Sequence, residues 1–289
     1  METVIGSPET EQTFTIGGDL KVNRLGFGAM RLTGDGIWGE PQDIEEARRV
    51  LRRAYELGVN FFDTADSYGP EVSERLIGEL APYPKDLVVA TKGGLTRQGP
   101  NKWAPVGRAE YLIQCVEMSL RRLRIERIDL YQLHRIDRKV PVEESLGALK
   151  DLRQAGKIRH IGLSEVTPGG IERAGKTVPI ASVQNRYNLG DREYEKTLAY
   201  CESRGIAFIP WFPLAAGKLT QPGGKLDQIA KRHSISVAQL SIAWLLHRSP
   251  AMLPIPGTSS VKHLEENVAA RDVRLSAEEW REIEETARP

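Results

Sequence analysis

Two residues that can take part in proton transfer follow an apolar segment early in the chain. The stretch from Phe61 to Pro70 reads FFDTADSYGP, so Asp63 directly follows two phenylalanines and Tyr68 stands a few positions later. A turn requires small polar residues, but it does not require an acid and a phenol together. We therefore treat Asp63 and Tyr68 as candidates for acid–base chemistry.

Two more ionisable residues end apolar segments of the same kind. Lys92 follows DLVVAT, and His134 follows IDLYQL. Taken singly, each has a structural explanation, because Lys92 could be a solvated strand end and His134 a hydrogen-bonded core residue. Such residues at successive segment ends are harder to explain in that way, since burying a lysine and an aspartate costs free energy unless they pair.

A tyrosine, a lysine, an aspartate and a histidine can together protonate an oxygen atom that gains negative charge. A tyrosine with an ordinary pKa of about 10 is a poor proton donor at neutral pH, but a neighbouring ammonium lowers that pKa. Asp63 would hold Lys92 in place and balance its charge, and a neutral His134 would donate a hydrogen bond to a carbonyl oxygen. This set provides no nucleophile, no metal-binding shell and no source of hydride.

Short apolar segments alternate with amphipathic segments along most of the chain, which predicts eight strand–helix units. Each unit takes roughly 30 residues, a normal length for a βα repeat. The strands are predicted at 25–28, 60–63, 87–92, 128–134, 160–164, 181–184, 206–211 and 252–255. The helices are predicted at 43–57, 72–80, 108–123, 142–155, 169–175, 192–203, 237–248 and 261–269. A short hairpin is predicted at 13–22 and one further helix at 275–287.

The predicted fold is a (β/α)8 barrel that includes the whole chain, residues 1–289, as a single domain. Nearly continuous apolar strands are typical of parallel strands covered on both faces, and no Pro-, Gly- or Ser-rich linker divides the chain. A doubly wound open sheet is the alternative. In a barrel the active site lies at the carboxyl ends of the strands, so the four candidate residues would meet at one rim.

Composition argues against several classes of function. The 40 basic and 39 acidic residues give a net charge of +1, so no nucleic-acid or membrane partner is expected. No apolar run approaches the roughly 20 residues of a membrane span, and the N-terminus does not resemble a signal peptide. Five histidines without an HxH or HExxH cluster predict no metal site, and two distant cysteines predict a cytoplasmic protein without disulfides. We expect a monomer or a weak oligomer.

Seven motifs occur in the order found in a known enzyme family. They read LGFGAMRL, FFDTADSYG, VVATKGG, RIDLYQLH, KIRHIGLS, VQNRYNL and IPGTSS followed by LEEN, and they extend over essentially the whole chain. On these motifs the chain resembles the aldo-keto reductases. The resemblance implies that the four candidates form a catalytic tetrad, in which a nicotinamide cofactor supplies hydride to a carbonyl carbon and Tyr68 supplies the proton.

The resemblance also implies where the nicotinamide would bind. Ser164 and Gln184, at the ends of the fifth and sixth strands, match residues that bind its carboxamide. Trp211 matches an aromatic residue that stacks on the ring. Glu165 stands where the motif usually has Asn, so the resemblance leaves its role open. Further cofactor contacts are implied for Gly28, Ala29, Met30, Asp63, Phe212 and Leu214.

The phosphate-binding end departs from the family pattern. Positions 257 and 263 are Gly and His, where many members carry the lysine and arginine that bind the adenosine 2′-phosphate. A TSS segment at 258–260 begins a predicted helix, and hydroxyls with backbone N–H groups at a helix start can bind an anion. Because many branches of the family with similar IPG-type loops use NADPH, the resemblance implies NADPH as the cofactor, with NADH possible. The implied contacts at this end are Gly257, Thr258, Ser259, His263, Glu266 and Asn267.

Aromatic residues in the predicted loops suggest a planar or apolar carbonyl compound as the small-molecule substrate. Candidate pocket walls are Trp38, Trp103 and Phe212, each of which could equally be structural. A pyridoxal-type reductase is a specific alternative within the same chemistry, because the compact chain and its IPGTSS ending resemble that branch.

Three functions from other classes are weaker alternatives. A redox-sensing, nicotinamide-binding regulatory module would resemble the potassium-channel β-subunit branch, but no added interaction segment is visible. A lyase with Lys92 as a Schiff-base nucleophile would favour a lysine without a paired acid, and Asp63 argues against it. A metal-dependent hydrolase would need the clustered histidines that this sequence lacks.

Overall fold

Strands and helices alternate along the chain as the sequence predicts. The structure is a computed structural model that describes residues 12–214 and 221–286. Its strands, numbered in chain order, are β1 Thr13–Ile16, β2 Leu20–Asn23, β3 Phe27–Gly28, β4 Phe61–Asp63, β5 Val88–Gly93, β6 Leu95–Arg97, β7 Trp103–Pro105, β8 Ile128–Leu133, β9 Ile158–Ser164, β10 Ile180–Arg186 and β11 Ala207–Trp211.

Seven of these strands form one parallel sheet in the order β3, β4, β5, β8, β9, β10 and β11. The predicted eighth strand at 252–255 is not a regular strand, and only Met252 forms an isolated bridge, to Phe208. Its segment still joins the two edges of the sheet, because Leu253 N donates to Phe208 O at 2.8 Å and Gly26 N donates to Pro254 O at 2.9 Å. Pro254 has no N–H group, so the regular ladder stops there. The predicted (β/α)8 barrel is thus confirmed, with an irregular closing segment.

Ten helices surround the sheet within the described residues. They are α1 Ile44–Glu56, α2 Val72–Gly78, α3 Ala109–Leu123, α4 Val142–Gln154, α5 Pro168–Gly175, α6 Glu195–Arg204, α7 Lys225–Arg232, α8 Val237–Arg248, α9 Val261–Ala269 and α10 Ala277–Thr286. None of the helices in the described parts of the chain is long and apolar enough to cross a membrane. Helix α7 is absent from the sequence prediction, and α10 is the predicted C-terminal helix, whose last predicted residue, 287, lies outside the described residues.

Local capping explains where several helices begin and end. Asp43 accepts a hydrogen bond from Glu46 N at 2.8 Å and opens α1. Ser276 and Glu279 bond each other's backbone N–H groups at 3.2 and 3.0 Å, which is the capping box predicted before α10. Gly205 ends α6 in the left-handed conformation, with φ of 63°, where a residue without a Cβ is favoured.

The N-terminal hairpin closes one end of the barrel. Ile16, Leu20 and Val22 pack with residues at the beginnings of the barrel strands, including Phe61 and Leu130, in one buried cluster. The predicted hairpin is therefore present as β1 and β2, paired in antiparallel register. Because this cluster covers the amino ends of the strands, the carboxyl ends form the open face of the barrel.

A second hairpin, which the sequence analysis missed, stands above that open face. Strands β6 and β7 pair in antiparallel register after β5, with Arg97 opposite Trp103. The connecting segment QGPNK has the composition of a turn, so a local signal was present. Its strands are only three residues each, too short to show alternation.

Candidate active site

The four candidate residues meet at the carboxyl ends of β4, β5 and β8. Asp63 ends β4, Tyr68 lies in the following loop, Lys92 is in β5, and His134 directly follows β8. All four side chains are buried, and Lys92 is 0% exposed. Asp63, Tyr68 and His134 line a cleft of about 710 Å³. The sequence-predicted convergence of these residues is present in the structure.

The ammonium group of Lys92 has three hydrogen-bond acceptors. Its Nζ lies 2.6 Å from Asp63 Oδ1, 2.8 Å from the carbonyl oxygen of Thr64 and 3.3 Å from the hydroxyl of Tyr68. A lysine has three N–H donors, so each donor has a partner. The salt bridge with Asp63 offsets the cost of burying both charges.

The second carboxylate oxygen of Asp63 accepts hydrogen bonds from two glutamines. Nε2 of Gln132 and Nε2 of Gln184 each lie 2.9 Å from Asp63 Oδ2. Gln132 was missed in the sequence, where it is one polar residue inside the strand IDLYQL. Its neighbour across the sheet is Lys92, because β5 and β8 pair in that register. These amides immobilise the carboxylate that holds the lysine.

Burial, rather than the lysine, dominates the ionisation of Tyr68. Desolvation raises the pKa of Tyr68, and the nearby charge of Lys92 opposes this rise without cancelling it. The expected net lowering of this pKa is therefore not seen, because the phenol is almost fully buried. Desolvation also acts to lower the pKa of Lys92, but Asp63 and Tyr68 outweigh it and raise that pKa. At neutral pH the pair is an ammonium beside a neutral phenol.

His134 is neutral at physiological pH. Burial lowers its pKa well below 6.5, and the positive charges of Lys92, Arg135 and Arg97 add to this effect. Its ring stands edge to face with that of Tyr68, with centroids 5.8 Å apart. The hydroxyl of Ser67 lies 3.3 Å from Nδ1 and orients the imidazole.

Three residues beside the tetrad present a hydrogen-bonding surface and a flat ring to the cleft. Ser164, Gln184 and Trp211 all line it. Ser164 Oγ accepts a hydrogen bond from Arg135, so its own hydroxyl proton is available to donate. Gln184 uses Nε2 for Asp63 and Gln132, which leaves its Oε1 as an acceptor. A donor beside an acceptor is complementary to a carboxamide, so these residues fit the nicotinamide that the sequence implies.

Glu165 holds the indole of Trp211 in place. Its Oε1 accepts hydrogen bonds from Trp211 Nε1 at 2.6 Å and from Arg186 N at 2.8 Å, and its Oε2 accepts one from Tyr194 at 3.1 Å. The backbone of Glu165 is left-handed, with φ of 57°, an uncommon conformation for a residue with a Cβ. Three hydrogen bonds to one carboxylate therefore fix both the strained backbone and the ring above it.

The other predicted cofactor residues divide into those on the cleft wall and those beyond it. Gly28, Met30, Phe212, Leu214 and Gly257 line the cleft. Ala29 does not, because it is fully buried in the core between helices and sheet. Gly257 is the last residue along the chain that lines the cleft. The remaining predicted residues do not line it and lie before or within α9, namely Thr258, Ser259, His263, Glu266 and Asn267.

One of the two predicted tryptophan walls borders the cleft. Trp103 lines it and stands edge to face with Tyr68, with centroids 6.4 Å apart. Trp38 is 38% exposed and lies outside the wall, although the adjacent Ile37 is part of it. Arg97 supports both indoles, since its guanidinium lies 3.6 Å from the ring centre of Trp103 and 5.4 Å from that of Trp38.

Arg97 also connects three segments around the cleft and was not identified from the sequence. Its guanidinium donates to the carbonyl oxygens of Ile37, Ser67 and Lys102 at 2.7, 2.6 and 3.0 Å. These acceptors belong to the Trp38 loop, the Tyr68 loop and the β6–β7 hairpin. No short-range pattern marks such a residue, because its partners lie up to about 60 positions away in the chain.

Comparisons with known proteins agree with this geometry. Residues 24–288 match the Aldo/keto reductase family. An uncharacterized oxidoreductase of Schizosaccharomyces pombe is 55% identical over 269 residues, which are 93% of this chain and 88% of that protein. Pyridoxine 4-dehydrogenase of Escherichia coli is 41% identical over 276 residues, which are 93% of this chain and 96% of that protein.

Solved structures of similar proteins share the fold. An aldo-keto reductase from Bacillus halodurans in its holo form has a TM-score of 0.80 at 30% identity and covers 96% of each chain. One from Klebsiella pneumoniae in complex with NADPH has a TM-score of 0.81 at 26% identity, also over 96% of each chain. With the family matched over residues 24–288 and the strand-end residues in place, this protein belongs to the aldo/keto reductase family and is an oxidoreductase.

Proposed function

We propose that this protein reduces an aldehyde or ketone to an alcohol with NADPH as the reductant and Tyr68 as the proton donor. The observation that carries the proposal is the hydrogen bond between Lys92 and Tyr68, buried at the wall of the cleft beside a neutral His134. NADPH, when bound, supplies hydride to the carbonyl carbon. The side chains of the chain itself bind the carbonyl oxygen, supply its proton and stabilise the charge that remains.

Tyr68 carries its proton at neutral pH and is positioned to release it. Burial raises the pKa of Tyr68, so the resting state is the phenol. When the proton leaves, the phenolate lies 3.3 Å from the ammonium of Lys92, whose charge stabilises it. Asp63 acts through Lys92 and is a positioning residue for this step.

His134 is the second hydrogen-bond donor to the carbonyl oxygen. A neutral imidazole carries one ring proton, and a hydroxyl of Ser67 that donates to Nδ1 leaves that proton on Nε2. The ring then polarises the carbonyl without adding a positive charge beside Lys92. Two donors to one oxygen stabilise the negative charge that develops there.

The cofactor would extend from the tetrad towards α9. Ser164, Gln184 and Trp211 would bind the nicotinamide, with the donor–acceptor pair on its carboxamide and the indole on its ring. Arg31, which was missed in the sequence, lines the cleft near Gly257, because a Cβ at position 257 would lie 3.5 Å from Arg31 Cγ. Its guanidinium would bind the phosphates there, whereas the first N–H of α9, that of Val261, already donates to Glu46 Oε1 at 2.9 Å.

A pyridoxal-type aldehyde is the second candidate substrate. The observation in favour is the 41% identity with an Escherichia coli protein named pyridoxine 4-dehydrogenase. Trp103 on the cleft wall offers a flat surface to an aromatic ring.

We further propose that the whole chain is one cytoplasmic domain, and that it acts as a monomer or weak oligomer.

Titration with cofactor should quench tryptophan fluorescence, because the indole of Trp211 would lie on the nicotinamide. NADPH is expected to bind more tightly than NADH, because it carries the additional phosphate. The difference in Kd should be less than about tenfold, or about 1.4 kcal/mol, because position 263 lacks arginine. Trp211→Phe should lose most of the quench, and Trp38→Phe, a tryptophan outside the cleft wall, should keep it. Absence of any fluorescence or thermal response to millimolar NADPH and NADH would contradict the reductase function.

Removing the carboxylate of Glu165 should weaken cofactor binding through Trp211. Glu165→Ala deletes three hydrogen bonds, and loss of a charged hydrogen bond costs about 1.5–3 kcal/mol, so the Kd for NADPH should rise about tenfold. Glu165→Gln should restore most of the affinity, because its carbonyl oxygen can still accept from the indole. In a Trp211→Phe background, where NADPH binding is followed by thermal stabilisation because the quench is lost, Glu165→Ala should have little further effect on the Kd. If Glu165→Ala raises the Kd of NADPH equally in the wild-type protein and in Trp211→Phe, Glu165 does not act through Trp211.

A further inference from the structure

The charges on the cleft wall are unbalanced in favour of positive charge. Among the described residues, the wall contains one carboxylate, Asp63, which is committed to Lys92. It also contains two guanidinium groups, those of Arg31 and Arg135. Arg31 is exposed and lies at the α9 end, whereas Arg135 is half-buried beside the tetrad. No carboxylate within residues 12–214 and 221–286 forms a salt bridge with Arg135.

The guanidinium of Arg135 is anchored at one nitrogen. Its Nη1 donates to the carbonyl oxygen of His134 and to Ser164 Oγ, both at 2.7 Å. Neither Nε nor Nη2 has an acceptor in the part of the chain that the structure describes. These two nitrogens form the edge that binds a carboxylate in bidentate fashion. The anchored nitrogen thus leaves a pre-oriented pair of donors.

The position of Arg135 relates these donors to the reaction centre. It follows His134 directly in the chain, and its charge contributes to the lowered pKa of His134 after burial and Lys92. Burial raises the pKa of Tyr68, and Arg135 is one of the charges that oppose this rise. An anionic group bound by Arg135 would therefore lie beside Tyr68 and His134, within reach of a molecule whose carbonyl faces them.

We propose that Arg135 selects substrates that carry a carboxylate or a similar acidic oxygen on the same small molecule as the reactive carbonyl. This inference rests on the proposed reductase function and specifies its substrate class. The apolar residues of the wall, among them Leu95, Trp103 and Pro105, would contact the carbon skeleton between the two polar groups. A neutral aldehyde would fill the same cleft and leave the guanidinium without a counter-charge, which is unfavourable in partial burial.

The test compares 3- and 4-carboxybenzaldehyde with their methyl esters, which keep the ring and aldehyde but carry no charge. The wild-type protein should show a kcat/KM at least about tenfold higher for the better acid than for its ester, because the ester cannot form charged hydrogen bonds with Arg135. Arg135→Met should abolish this preference, so that the kcat/KM values for each acid and its ester become equal within about threefold. Arg135→Lys should give an intermediate preference, since lysine lacks the bidentate edge.

Two controls separate this inference from its alternatives. Arg138→Met removes an exposed guanidinium from the same loop, outside the cleft wall. It should leave the kcat/KM values for all four substrates unchanged. The Kd of NADPH, measured by fluorescence in the wild-type protein and in Arg135→Met, reports any effect transmitted through Ser164, which accepts a hydrogen bond from Arg135. If Arg135→Met weakens NADPH binding and lowers kcat/KM equally for acids and esters, Arg135 only orients Ser164 and the inference is wrong.

A binding measurement distinguishes failure of the inference from failure of the proposed function. Benzoate should compete with the acid substrates and bind the wild-type protein more tightly than benzamide, and Arg135→Met should remove that difference. If no aldehyde is reduced, the reductase function fails, and the benzoate result alone then decides whether Arg135 binds a carboxylate. Equal affinities for benzoate and benzamide in the wild-type protein would overturn the inference.

Discussion

Tyr68→Phe should lower kcat for a good aldehyde by about 100- to 10 000-fold, because a positioned proton donor typically contributes that factor. The substitution removes one hydroxyl and keeps the ring that packs against Trp103 and His134. The Kd of NADPH should therefore stay nearly constant. Steady-state kinetics and fluorescence titration of the same preparation measure the two quantities separately.

Tyr131→Phe provides the matched control for this experiment. Tyr131 is a fully buried tyrosine in β8, away from the cleft wall, and its hydroxyl has no hydrogen-bond partner among the described residues. Its replacement should leave kcat within a few-fold of the wild-type value. If Tyr68→Phe retains more than about a tenth of the wild-type kcat, positioned proton transfer by this residue is contradicted and His134 becomes the leading acid.

Lys92→Met should lower kcat by a comparable factor, about 100-fold or more, because the phenolate of Tyr68 loses the ammonium that stabilises it. The same variant should unfold more easily, since removing one partner of a buried salt bridge costs about 3–5 kcal/mol. Gln132 and Gln184 still donate hydrogen bonds to Asp63 in this variant. We therefore expect the decrease in the free energy of unfolding to lie at the lower end of that range. Urea unfolding and steady-state kinetics check the two effects.

The pH dependence gives the lysine prediction a definite sign. The folded-state pKa of Lys92 is raised from 10.5, although desolvation by itself would lower it, so the charged form is favoured in the folded protein. Its contribution to stability is therefore complete at neutral pH and is lost as the pH rises through the folded pKa. Lys92→Met should lack this alkaline loss.

Lys157→Met is the control for removal of a lysine in an ion pair. Lys157 pairs with Glu117 at the surface, where both side chains are more than one-third exposed, and such pairs contribute about 0–1 kcal/mol. Lys157→Met should leave kcat unchanged and should change the free energy of unfolding by no more than that range.

Asp63→Asn should reduce kcat less than Lys92→Met, because Asp63 acts only through the lysine. A Lys92→Met protein with nearly wild-type kcat would show that Lys92 does not assist the proton transfer.

The sequence by itself determined the repeating units and the residues at their ends. Short apolar runs and amphipathic helices follow from local periodicity, so strands such as β5 and β8 lie close to their predicted bounds. In a parallel barrel the carboxyl ends of strands share one face, and this rule alone brought Asp63, Lys92 and His134 to the same rim. Their roles in the reaction stay a prediction that the variants above test.

Three elements were missed or incorrectly assigned, for different reasons. The closing segment at 252–255 has an apolar composition like that of a strand, but Pro254 cannot donate to a ladder, so it closes the barrel irregularly. The β6–β7 hairpin was missed because its strands have only three residues each. Helix α7 does carry a helical pattern, since its buried residues Leu226, Ile229 and Ala230 are spaced as on one helix face, and the sequence analysis overlooked it.

Only the tertiary structure decided which side chains from different strands touch. Gln132 bonds Asp63 because of the register between β5 and β8, and Glu165 bonds Trp211 although 46 positions separate them. Arg97 and Arg135 gain their importance from carbonyl groups and a cleft that exist only in the folded barrel. The net ionisation of Tyr68 also depends on burial, and burial is a property of the whole fold rather than of a motif.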